Sequence, residues 1–328
     1  MFLLIGGGLV TSYSLEESED SEEIVVIDAR GVEVTFEDPP ERIISFMPSN
    51  TEILFHLEVG DRVIATDEFS DHPPEVNDLP KVGDSFDVDY EKIIDLEPDV
   101  VVTPSFNVDM IDTLNENNIT VVATGSTTLD DVYSDMGLLG EMCGIEERAE
   151  EKVDDLKAEM DSITEETRDL PEEDRTDTLY LTGIDPLFTP GNNTFQNTLL
   201  EKAGGRNIAA EEDGWWTISE ELIIAEDPKV IIATDRLEGD LEELVKEDHW
   251  QDITAVQNDE IHYIDGDIMD RPGPRVVNAQ ENLTDITENV LENEEGDPLE
   301  EIPGFSVGVF GGALTAGLIA EKIKKQKA

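Results

Sequence analysis

The chain has 328 residues, enough for one large or two ordinary domains with a proper core apiece. Its 80 acidic and 21 basic residues give a formal net charge of -59 at pH 7, which repels phosphate backbones and anionic lipid and excludes nucleic-acid binding. Hydrophobic residues make up 38% and fall in regular blocks, so the acidity points to a folded protein adapted to very high salt rather than to disorder, and the lone Cys143 excludes a disulfide framework or a thiolate metal cluster.

Residues 2–15 carry no charge and end in Ser12-Tyr13-Ser14, a small-x-small pattern of an export cleavage site without the basic leader, so residues 1–23 are expected to be a signal-like segment and an acidic linker. The folded part then begins with "IVVIDARGVEVTF", two short strands around Ala29-Arg30-Gly31. "RIISFM" follows as a buried strand, and Ser49 with Glu52 predicts a capping box opening a helix through Leu57. "RVIATD", "DVVVTP" and "TVVAT" alternate with helices, which predicts a parallel sheet covered on both faces as the first α/β lobe, residues 24–129.

Residues 130–170 predict a long rigid connecting helix, with Ala149, Val153, Leu156, Met160 and Ile163 on one face. That face suits a brace across two lobes or a coiled-coil dimer. Strands resume in "TLYLTG", "KVIIATD" and "IHYID", a second α/β lobe over residues 171–293. An acidic linker, residues 294–302, leads into the tail 303–328. Residues 302–320 are uncharged over 19 positions, about 28 Å as helix, and four lysines follow, the pattern of a membrane anchor; a buried C-terminal helix is the competing reading.

"EKIIDLEPDVVVT" (91–103) aligns without gaps with "ELIIAEDPKVIIA" (221–233), so each lobe carries a glutamate, Glu91 or Glu221, at the same place. Both are solvated first-turn carboxylates or anchors for a partner. The cleft between two such lobes is the expected ligand site, and loop tips after strands supply the candidates. These are Asn50, Phe69 and Phe86 in the first lobe and Phe188, Trp215, Trp216, Asp267, Asp270 and Arg271 in the second. Several aromatics on facing tips suit a large, flat, partly apolar ligand, while Arg275 is expected to make a structural contact at a helix start. Three Asn-x-Thr sequons begin at Asn118, Asn192 and Asn282.

An enzyme is not expected. The sequence has no Gly-x-Ser-x-Gly elbow, phosphate loop or dinucleotide fingerprint, and its four histidines lack metal-ligand spacing, so neither a catalytic residue nor a resident metal or cofactor is assigned.

The run from "RIISFMPSNTEILF" through "FSDHPP" to "DVVVTP" resembles the first lobe of substrate-binding proteins of ABC importers for iron chelates and vitamin B12, and "FTPGNNTFQNTLLEKAGGRNI" and "DGDIMDRPGPRV" resemble the second. The likeness covers about residues 40–292, with the cobalamin-binding members nearest. It implies an extracytoplasmic monomer that captures a corrinoid and delivers it to a permease dimer powered by ATPase subunits. It also implies that Phe69, Phe86, Phe188 and Trp215 line the pocket, that Asp267, Asp270 and Arg271 meet the corrin's amides, and that Glu91 and Glu221 dock on permease arginines. An iron-siderophore or haem carrier is the alternative within this class, and a two-lobed tetrapyrrole enzyme or a structural surface protein outside it. The Pro303-Gly304-Phe305 tail resembles the sorting tail of archaeal surface proteins, which with the acidity implies a salt-loving archaeon and a protein held on the outer face of the cell membrane.

Overall fold

The computed structural model describes residues 23–125 and 127–294; the export-like start at residues 2–15 and the apolar tail lie outside the described residues. The chain opens with an antiparallel hairpin of β1 (Ile24–Ile27) and β2 (Glu33–Phe36). Its turn is built on Asp28, whose buried carboxylate accepts hydrogen bonds from the Arg30 and Val32 amides at 2.9 and 3.1 Å, from the Arg30 guanidinium, and from the Ala123 amide at 3.2 Å. The hairpin is thereby fastened to the edge of the first lobe.

That lobe holds a four-stranded parallel sheet in the order β4 (Val63–Thr66), β3 (Ile43–Ser45), β5 (Val100–Pro104), β6 (Val121–Thr124). The β3, β5 and β6 strands are buried at every position, as a parallel sheet covered on both faces requires. Helices α1 (Pro48–His56), α2 (Tyr90–Asp95) and α3 (Val108–Glu116) belong to this lobe, and Ile93, Met110, Ile111 and Leu114 join Ile44, Phe46 and Val101 in its core.

Two helices, α4 (Leu129–Met142) and α5 (Glu146–Ile163), then carry the chain across. The single long connecting helix expected from the sequence is thus broken, and the break sits at Gly144, which adopts φ 68° after the Cys143 cap. Helix α4 approaches α5 so closely at Gly140 that a Cβ there would stand 2.2 Å from that of Ala149. The predicted face of α5 is the buried one: Ala149, Val153, Leu156 and Met160. Near its start Arg148 and Lys152 reach Glu58 of the first lobe at 3.9 and 3.4 Å, and beyond its end Thr167 Oγ1 donates to Lys202 O of the second lobe at 2.7 Å. These contacts favour the brace over a coiled coil.

The second lobe repeats the plan with β10 (Gly205–Asn207), β7 (Thr176–Leu181), β12 (Val230–Thr234) and β13 (Ile261–Ile264) in that spatial order, all parallel. A small antiparallel sheet, β11 (Trp215–Thr217) beside β9 (Leu187–Pro190) beside β8 (Gly183–Ile184), is added to it. Helices α6 (Phe195–Lys202), α7 (Glu220–Glu226), α8 (Glu238–Leu244), α9 (Thr254–Gln257), α10 (Gly266–Met269) and α11 (Val276–Glu294) complete the described chain. Leu179, Ile223, Ile231, Leu241 and the buried Trp250 lie in one core cluster. Among the described residues no helix is long and apolar enough to cross a membrane.

The sequence repeat is a structural one. Glu91 is the second residue of α2 and Glu221 the second residue of α7; each helix is capped by the side chain two positions earlier, Asp89 or Ser219, which accepts the amide of Lys92 or Leu222. Ile93 and Ile223 are wholly buried, and Val100 and Val230 open strands β5 and β12.

Candidate ligand-binding site

In the first lobe, exposed aromatics stand on the loops that follow the strands. Phe69, on the loop after β4, is 62% exposed, and Phe86, whose turn precedes α2, is 98% exposed. Neither is held by apolar packing; each is presented by a carboxylate that gathers backbone amides. Asp67 accepts the amides of Met47, Phe69 and Ser70, although burial pushes its carboxyl above the ordinary range. Asp84 accepts those of Phe86 and Asp87 at 2.7 and 2.9 Å, and Gly83 at φ 87° lets this turn close.

A third first-lobe aromatic, Phe106, escaped sequence reasoning. It is 62% exposed just beyond β5, and Asn107 Nδ2 donates to Ser85 Oγ at 3.2 Å, tying its loop to that of Phe86. The signal was present as an aromatic three positions past the end of "DVVVT".

In the second lobe Phe188 of β9 and Trp215 of β11 stack, with ring centroids 5.7 Å apart and planes at 17°. Both remain exposed, at 36% and 42%. Trp216 does not join them. Its ring packs against the core of the second lobe and its indole nitrogen donates to Ala209 O at 3.1 Å, which corrects its assignment as a ligand contact: successive residues of a strand face opposite ways. Asn50 is corrected likewise. It is fully buried in α1 and its amide donates to Phe46 O at 2.9 Å.

Beside the Phe69 loop the lobes meet in a cluster of ions. Glu52 of α1, its side chain 3% exposed, accepts a forked pair from Arg275 at 2.8 and 2.6 Å and lies 3.4 Å from Arg271. Arg271 also binds Asp71 at 2.7 Å and Asp267 at 3.0 Å, and Arg236 pairs with Asp267. The Arg271 guanidinium holds the Asp71 carboxyl below its usual range. The predicted capping box is absent: Met47 takes the cap position at φ 79° with no side-chain bond, Ser49 Oγ has no partner, and Glu52 is spent on the arginines. Arg275 does make the structural contact expected of it. Asp267 and Arg271 are brought together, but as each other's partner, and Glu52, Asp71 and Arg236 are members that sequence reasoning left out.

Asp270 stands apart, accepting from the Tyr180 hydroxyl at 2.8 Å. Burial pushes its carboxyl up to about 6, against the opposing pull of Tyr180 and Arg236. The folded state thus holds this proton more tightly than the unfolded chain does. The stability this contributes is complete below the unfolded value and is lost as pH rises through the folded one. Asp270→Asn, which keeps the acceptor for Tyr180, should therefore raise stability at pH 7 by about 1–3 kcal/mol, with the gain vanishing below about pH 4, read by denaturant titration across pH.

Glu91 and Glu221 are exposed, one on each lobe. A model of the periplasmic binding protein family matches residues 43–268, the two lobes and their connection. The chain belongs to this family. A curated relative, the "Uncharacterized ABC transporter substrate-binding lipoprotein YvrC" of Bacillus subtilis, is 32% identical over 80% of this chain and 84% of its own. The "Vitamin B12-binding protein" of Vibrio cholerae is 26% identical over 75% and 88%. Among solved structures, a possible iron-binding, periplasmic solute-binding protein from Staphylococcus epidermidis superposes with a TM-score of 0.68 at 28% identity, covering 76% of this chain and 99% of that one. As a periplasmic binding protein, the molecule holds a solute and is not an enzyme.

Proposed function

We propose that this periplasmic binding protein is the extracytoplasmic substrate-binding component of an ABC importer, and that its solute is a corrinoid, cobalamin. The observation that carries the reading is the set of exposed aromatics on both lobes: Phe69, Phe86 and Phe106 on loops of one, the Phe188–Trp215 stack on strands β9 and β11 of the other. Flat ring faces offered to solvent suit a broad, partly apolar macrocycle. The relatives named for ABC transport and for vitamin B12 support it.

The S. epidermidis likeness favours an iron chelate as the second reading. Charge argues against it, since many such chelates are anionic and Arg236, Arg271 and Arg275 beside the site are each already paired with a carboxylate. Titrating the purified chain in molar KCl with cobalamin, ferric siderophores and haem, followed by tryptophan fluorescence, tests the choice. Cobalamin should quench at micromolar concentration or below; silence with cobalamin alongside tight binding of an iron chelate would overturn it.

Glu91 and Glu221 are the permease anchors in this reading, one acidic side chain per lobe for two equivalent permease subunits. The double variant Glu91→Arg with Glu221→Arg should keep solute affinity within about twofold and abolish uptake, because each anchor would then face a like charge. Normal uptake by that variant refutes the anchoring. The uncharged run 302–320 and its lysines support a chain held at the membrane's outer face near its permease.

A further inference from the structure

Three sequons offer themselves for N-linked glycosylation, and their surroundings differ. Transfer forms a bond between sugar C1 and the asparagine Nδ2 and breaks the C1–oxygen bond to a polyprenyl-phosphate-linked glycan. The lipid phosphate leaves, and the amide proton passes to the transferase. The acceptor amide must therefore be free, and the hydroxyl two residues on must be reachable.

Asn192 meets neither condition: its Nδ2 donates to Asp213 Oδ1 at 3.1 Å, while the buried Thr194 caps α6, donating to Gly191 O at 2.8 Å and accepting from the Asn197 amide. It also lies two residues beyond β9, so a glycan there would stand near the Phe188–Trp215 stack. Asn282 is exposed but falls inside α11, where Leu283 and Thr284 are buried and Thr284 Oγ1 accepts from Gln280 at 3.2 Å. Reaching that hydroxyl means opening the helix.

Asn118 is different. It is exposed in the turn between α3 and β6, at φ 59°, a conformation asparagine tolerates better than most residues. Its backbone amide donates to Asn115 O, and its side chain makes no hydrogen bond among the described residues. Thr120 two positions on is only half-buried. The turn leads into the start of β6, so it lies at the sheet edge opposite the loops that carry Phe69, Phe86 and Phe106. Beside it runs an open groove of about 460 Å³, where Val32 and Ile119 offer apolar wall and Arg30, Glu33 and Asn115 offer polar partners. Such a lining suits a sugar, whose ring has one apolar face and a rim of hydroxyls.

We infer that Asn118 is an N-glycosylation site, that its first sugar lies in this groove, and that Asn192 and Asn282 stay bare. The inference rests on the extracytoplasmic placement proposed above. Glycopeptide mass spectrometry of the full chain, purified from the cells that make it, should find a glycan on the Asn118 peptide and none on the Asn192 or Asn282 peptides. Asn118→Gln and, independently, Thr120→Ala should each lower the intact mass by one glycan, and both should bind solute within twofold of the parent. A bare Asn118 peptide, or a glycan on Asn192 or Asn282, overturns the assignment. Labelling intact cells with a membrane-impermeant amine reagent reads the location separately: a labelled chain without glycan refutes the site alone, and an unlabelled one refutes the placement as well.

Discussion

Glu52→Ala should cost the folded protein about 3–5 kcal/mol, because it leaves Arg275 and Arg271 without the carboxylate that joins them across the lobes. The loss comes mainly from the desolvated Arg275 guanidinium left without a carboxylate, since Arg271 keeps Asp71 and Asp267, and much less from the net worth of the original pair, which burial makes small. Two consequences distinguish this account from a simple surface ion pair. First, the cost should persist in molar KCl, since screening acts on exposed charges and reaches a side chain 3% exposed only weakly. Second, Glu52→Leu combined with Arg275→Met should recover most of the stability, an apolar pair being an adequate substitute for a buried ionic one. Asp71→Ala, at the solvent side of the same cluster, should cost only about 1 kcal/mol or less, and less still in high salt. Denaturant unfolding of the three variants at low and high KCl measures all of this. A Glu52→Ala loss that disappears in salt, or a double variant no better than the single, would show that the cluster does not join the lobes as described.

The same cluster shows where sequence reasoning stops. Parallel strands were legible because a strand covered on both faces is a continuous apolar run, and the lobe repeat was legible because its helix, proline and strand recur at fixed spacing. Glu52 was misassigned for an equally physical reason. A Ser-x-x-Glu pattern describes contacts within one helix turn, whereas the partner that claims this carboxylate is 223 residues away. Asn50 misled in the same manner: at the start of the predicted helix it was read as facing the cleft, whereas α1 turns it inward, wholly buried, onto Phe46 O. The connecting segment kept its amphipathic face but not its continuity, because Gly144 in "CGIEE" read as a residue within a helix and in fact ends one. Phe106 was overlooked although, like Phe69, it stands just past a strand; only its exposure in the fold separates it from a core plug.

Trp215 and Trp216 offer the sharpest test of the site, because two identical neighbours should fail in opposite ways. "DGWWTIS" looks like a loop in the sequence, in which both rings could face a ligand. Pairing of β11 with β9 makes it a strand, so the rings alternate: Trp215 stacks outward on Phe188, and Trp216 turns inward to Ala209 and the core. Trp215→Ala should lower solute affinity by about 2 kcal/mol, roughly 30-fold, as expected for a ring at the centre of a contact surface, and should leave the unfolding midpoint nearly unchanged. Trp216→Ala should instead cost about 2–4 kcal/mol of stability, less than a wholly buried tryptophan would, and affinity should fall only as far as the folded fraction does. Phe188→Ala should follow Trp215 rather than Trp216, and the double variant Phe188→Ala with Trp215→Ala should lose less than the sum of the two singles, because each ring holds the other in place. Calorimetric titration with cobalamin, paired with denaturant unfolding of each variant, separates the two outcomes. Equal affinity losses at positions 215 and 216 would mean that the exposed stack is not where the solute binds.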